Sequence, residues 1–128
     1  MKKSKPIVRF VHCSLFNADV TLVVCQHEDF LKEAKKFLQK EKYESLEKMV
    51  EKRGKDDSCL ATQFPFEDGA SIIWARPKLG FGTLVHEVVH AAHHLLECRD
   101  IPLSDDTEEV YAYLIEFLFN GFISKPLV

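Results

Sequence analysis

Two apolar, β-branched runs open the chain, Ile7 to Phe16 and Ala18 to Gln26, around an Asn17-Ala18-Asp19 turn, and they predict a β-hairpin. Each run is apolar nearly throughout, which predicts burial beneath a helical layer. Glu28-Asp29 can start a helix, in which Phe30, Leu31, Ala34, Phe37 and Leu38 keep the 3.6-residue period. The stripe loses register near Lys40 to Lys42 and restarts at Tyr43, Leu46, Met49 and Val50, so one kinked helix or two short ones fit. Glu51 to Ser58 is charged and carries Gly54, which predicts a mobile loop over 51–58. Cys59 to Phe66 and Ala70 to Arg76 predict a second hairpin across Glu67-Asp68-Gly69.

The C-terminal half reads as two helices. Gly80-Phe81-Gly82 is a loose lead-in, Thr83 a candidate N-cap, and apolar positions from Leu84 to Leu96 predict a helix to about Cys98, buried on most sides. Arg99, Asp100 and Pro102 stop it. Ser104 or Asp105 can cap the next helix, whose first turn holds Glu108 and Glu109 and complements the helix dipole. An almost wholly apolar run follows to Asn120-Gly121, a usual helix end. The pattern therefore predicts an α+β single domain over 1–128. A small antiparallel or mixed sheet of two hairpins packs on an N-terminal helix and two C-terminal helices.

The first of those helices contains His86-Glu87-Val88-Val89-His90. Histidines four apart stand one turn above each other, about 6 Å apart, close enough for both imidazoles to hold one metal ion. Glu87 then takes the position of a general base for a metal-activated water. Two histidines and a glutamate on so apolar a helix would be costly to bury without a partner. The ligand types suggest Zn2+, which needs a third protein ligand. His94 is a poor choice, because His86, His90 and His94 climb a straight helix through roughly 12 Å. His93 and His94 read as exposed residues or as groups at the rim of the cleft that support the ligands, and His12 as a satisfied core or edge-strand histidine. Glu108 and Glu109 are the remaining candidates for the third ligand, and periodicity does not separate them.

His86-Glu87-x-x-His90, followed after 18 residues by Glu109-x-x-Ala112-Tyr113, resembles the gluzincin branch of zinc metallopeptidases, and most closely the very small gluzincin-like proteins of phage and prophage origin. Ile72-Ile73-Trp74 precedes these motifs in the order such proteins have. The resemblance covers residues 60 to 120 well, and the N-terminal third only in layout. It implies a zincin-like domain with His86, His90 and Glu109 on zinc, Glu108 being the alternative, and Glu87 as base. It also implies hydrolysis of a peptide bond. One departure is plain: the large lobe that stabilises the transition state in bigger members has no room here. Tyr113 is the first candidate oxyanion donor, with Tyr111 and His94 behind it. A peptide or protein substrate would add along the Ala70 to Arg76 strand, if that strand lies at the sheet edge. A zinc-stabilised binding or assembly module without turnover, or a hydrolase of non-peptide amides, would use the same residues.

Composition narrows the field further. A chain of 128 residues with 46% hydrophobic content can bury one core. A net charge of −3 without a basic face argues against nucleic acid. Lys2, Lys3 and Lys5 mark a flexible tail over 1–6. No window is apolar for long enough to span a membrane, and the N-terminus lacks the apolar core of an export leader, so a cytoplasmic protein is expected. Cys13, Cys25, Cys59 and Cys98 are scattered and read as free thiols. Oligomeric state is not legible.

Overall fold

A computed structural model describes residues 5–54 and 59–127. The chain forms strands β1 (Ile7–Cys13) and β2 (Ala18–Val24), then helices α1 (Phe30–Lys35) and α2 (Lys40–Arg53). Strands β3 (Ala61–Pro65) and β4 (Ser71–Ala75) follow, then helices α3 (Phe81–Cys98) and α4 (Glu108–Ile123). The predicted α+β class holds, and both hairpins form. The sheet is mixed, in the order β1-β2-β4-β3. Ile7↔Val24 to Cys13↔Ala18 pair antiparallel, Ala61↔Ala75 to Pro65↔Ser71 likewise, and the hairpins join through the parallel pair Val20↔Ser71 to Val24↔Ala75.

Both faces of the sheet are covered, and this explains the continuous apolarity of β2 and β4. Val20, Leu22, Val24, Ile73 and Ala75 point to one face and meet Leu84, Val88, Ala91, Leu95, Leu118 and Phe122 of α3 and α4. Val23, Ile72 and Trp74 point to the other and meet Phe30, Ala34 and Leu46 of α1 and α2. A two-residue side-chain period thus feeds two separate cores. α3 lies across β3, and α4 across β1. Among the described residues no helix is long and apolar enough to cross a membrane.

Several boundaries differ from the sequence reading. The first turn is Ser14–Asn17, with Asn17 at φ 49°, so Ala18 and Asp19 belong to β2. Glu51–Arg53 continue α2 instead of forming a loop, and α2 ends at Gly54 with φ 74°; residues 55–58 of the expected mobile loop, and 1–4 of the expected tail, lie outside the described residues. α3 starts at Phe81, with Gly80 and not Thr83 at its cap. The Phe81 ring packs edge-on against Phe119 at 5.8 Å, and this contact outweighs the poor helix propensity of Gly82. α4 starts only at Glu108, because Thr107 Oγ1 accepts from Ser104 N at 2.9 Å and donates to Pro102 O at 2.6 Å. It then runs past Asn120-Gly121 to Ile123.

Gly121 is there for packing. A Cβ at this position would stand 2.6 Å from Val11 Cγ2, so the bare backbone lets α4 close on β1. The stiff valine cannot swing aside. Gly121→Ala is therefore expected to lower stability by about 1–3 kcal/mol by overpacking, although alanine is the better helix former. Urea denaturation checks this; a rise in stability would mean that Val11 gives way freely.

Candidate metal centre

The buried face of α3 follows Leu84, Val88, Ala91, Ala92, Leu95 and Leu96. His86 and His90 stand on the opposite side and point to solvent. α3 is thus less buried than its apolar count suggests, because Val85, His86, Val89, His90, His93 and Glu97 make an exposed ridge. Burial cost therefore argues nothing about the histidines, and applies only to Glu87.

The two imidazoles are nonetheless paired. Their Nε2 atoms are 3.3 Å apart and the rings 4.9 Å apart at 74°. Two Zn–N bonds of about 2.0–2.1 Å at a tetrahedral angle hold their nitrogens about 3.3–3.4 Å apart. The pair thus already has the spacing of two vertices of a zinc tetrahedron, and the donor chemistry fits that ion.

Glu87 lies on the flank of α3 that faces β3. His94, seven residues on and on the same flank, places Nε2 2.6 Å from the Phe66 carbonyl in the β3–β4 turn. Glu87 is 8% exposed, and its carboxylate makes no side-chain hydrogen bond or ion pair among the described residues. Its oxygens still touch solvent, since the fully enclosed side-chain N or O without a partner is Arg9 Nε. Glu87 is thus mostly buried, without a side-chain partner among the described residues, and open to solvent at its tip.

The third ligand is not assembled. Among the described residues no group of three His, Cys, Asp or Glu side chains is placed to hold a metal ion. Ring contacts His93–Tyr111 at 5.6 Å and Phe81–Phe119 fix the antiparallel register of α3 and α4. That register sets residues 112 to 116 opposite 86 to 90, and leaves Glu108 and Glu109 about one turn, ~5–6 Å, beyond the pair. Helical periodicity puts Glu108 on the α3-facing side with Tyr111 and Ile115, and turns Glu109 and Glu116 outward with Tyr113. Glu108 has the right side and the wrong level, Glu116 the right level and the wrong side, and Glu109 neither.

The candidate oxyanion donors are elsewhere too. Tyr113 is 68% exposed and lines an apolar groove of about 350 Å³ with Leu15, Phe16, Val110 and Phe117, on the side of α4 away from the histidines. The Tyr111 hydroxyl donates to Ile101 O at 2.6 Å, and burial, with Glu97 nearby, pushes its pKa up. His94 is held by Phe66. The Ala70 to Arg76 strand is not a sheet edge either: β4 pairs on both sides, with β2 and with β3. A substrate strand can add only to β1 or β3. Pro65, which has no N–H to donate, is tolerated in β3 because that strand is an edge.

Two residues carry more than their sequence context suggests. Arg99 reads as a helix stop, but its guanidinium donates to Phe16 O at 2.7 and 3.0 Å and to Asp68 O at 3.0 Å. His94 fastens α3 to the β3–β4 turn; its only sequence signal is the i,i+4 step from His90. His12, exposed, pairs with Asp19 at 2.7 Å. Comparisons with known family models, with curated proteins and with solved structures find no match to this chain.

Proposed function

We propose that this chain is a zinc-dependent, gluzincin-like metallopeptidase, in which His86 and His90 hold the metal and Glu87 is the general base. The observation that carries the reading is the 3.3 Å Nε2–Nε2 separation, with a buried, unpaired carboxylate at the position between the two histidines in sequence. When bound, Zn2+ supplies Lewis acidity, polarising a carbonyl and making water a better nucleophile near neutral pH. Glu87 takes the proton of the attacking water and returns it to the leaving nitrogen. A carboxylate of α4 completes the ligand set: the resemblance favours Glu109 and the face of the helix favours Glu108; Glu108 needs α4 to shift by about one turn, and Glu109 needs that shift together with a rotation of the helix. The peptide adds to the β3 edge, on the flank toward which Glu87 leans. The resemblance to phage and prophage proteins, and a cytoplasmic location, belong to the same proposal.

A second reading uses the same histidine pair: a zinc-binding module without turnover, which needs no open catalytic position on the metal. Chelator-treated protein, reloaded with zinc and offered a fluorogenic peptide library, separates the two. Peptide cleavage that needs zinc supports the peptidase. A zinc-dependent rise in melting temperature without cleavage supports the module, and no response to zinc removes both.

A further inference from the structure

His86 and His90 have the spacing of two vertices of a tetrahedron, and among the described residues no third donor is placed within reach. They are exposed on the side of α3 opposite the core, so an approaching molecule meets the imidazoles first. The ridge of Val85, His86, Val89, His90, His93 and Glu97 carries no lysine or arginine to repel a dication. Val85 at 36% and Val89 at 42% exposure offer apolar surface beside the histidines. A donor set that completes this half-site must present two nitrogens at the same spacing from the opposite direction, and a second copy of the ridge, turned about a two-fold axis through the metal, does so.

We infer that one Zn2+ bridges two copies of this chain through His86 and His90 of each. Four imidazole nitrogens fill the tetrahedron, and Val85 and Val89 of the two ridges come together around it. The inference rests on the reading that the histidine pair binds zinc, and adds regulation of that site. A four-nitrogen tetrahedron leaves no open position, so the bridged dimer is a resting form of the proposed hydrolase. Activity then requires the two copies to part. The two copies, each with a net charge of −3, repel weakly, and the dication offsets this.

The test is a zinc titration of the chelator-treated chain, followed by sedimentation velocity and by metal content after gel filtration, with His86→Ala/His90→Ala alongside. The expected result is a doubling of mass complete at half an equivalent of zinc, reversed by chelator, with the double variant monomeric throughout and folded by circular dichroism. A monomer holding one zinc per chain overturns the inference and leaves the proposed function standing. A chain that binds no zinc overturns both. A dimer that forms without zinc, or in the double variant, overturns the bridge. If the double variant fails to fold, zinc titrated against wild type in which diethyl pyrocarbonate has blocked the exposed imidazoles gives the same readout: loss of the dimer supports the bridge, and persistence overturns it.

Discussion

Glu87→Gln is expected to lower zinc-dependent peptide hydrolysis by about 10²–10⁴-fold, the usual contribution of a positioned general base, and to leave zinc binding unchanged. The amide keeps the size of the carboxylate and cannot take the proton. The same position gives a second, opposite effect. Glu87 is 8% exposed and has no side-chain partner among the described residues, so leucine there exchanges an unpaired polar group for an apolar one of similar size. Glu87→Leu should stabilise the metal-free chain, by about 1–2 kcal/mol given that the tip still reaches water. Lost turnover together with gained stability is the signature of a group retained for chemistry. A variant that keeps full activity would remove Glu87 from the reaction, and one that loses stability would mean that the carboxylate is structural.

Arg99→Ala is expected to cost about 2–4 kcal/mol of folding stability, read by urea denaturation. Its guanidinium ties the end of α3 to two turns at once, through Phe16 O and Asp68 O, and hydrogen bonds from a charged donor contribute about 1.5–3 kcal/mol each. Its partial exposure lets water replace some of this and keeps the total below the sum. Arg99→Lys should recover little, since a single ammonium cannot span both carbonyls. Gly69 belongs to the same clasp: it sits at φ 93°, and a Cβ there would stand 2.7 Å from Arg99 Nη1. A loss below about 0.5 kcal/mol in the alanine variant would show that the two turns hold without the clasp.

How much of this the sequence reveals depends on the range of the interaction. Strands β1 to β4 and the existence of α3 and α4 are legible because alternation and 3.6-residue periodicity act locally. Helix ends are less so. Phe81 enters α3 because Phe119 is there to meet it, and Gly121 stays inside α4 because β1 comes close; both partners are distant in sequence. The interior position of β4 is decided by its parallel pairing with β2, which no turn signal announces. At the candidate site, the i,i+4 spacing of His86 and His90 translates directly into paired imidazoles, as helix geometry requires. The third ligand does not follow from spacing, because the turns between Cys98 and Glu108, held by Tyr111 and Thr107, set the level at which α4 returns. Apolar count overstated the burial of α3 for a similar reason: only packing against the sheet and α4 decides that Val85 and Val89 stay at the surface.

The measurement that bears most directly on the central claim is an equilibrium zinc titration of the chelator-treated chain, monitored by calorimetry, with His86→Ala and His90→Ala variants measured in parallel. The account predicts saturable binding by the wild type, with affinity falling at least tenfold in each single variant, because each removes one of the two paired nitrogens. Wild-type protein that takes up no zinc, or variants that bind it as well as wild type does, would contradict the assignment of His86 and His90 as a metal site.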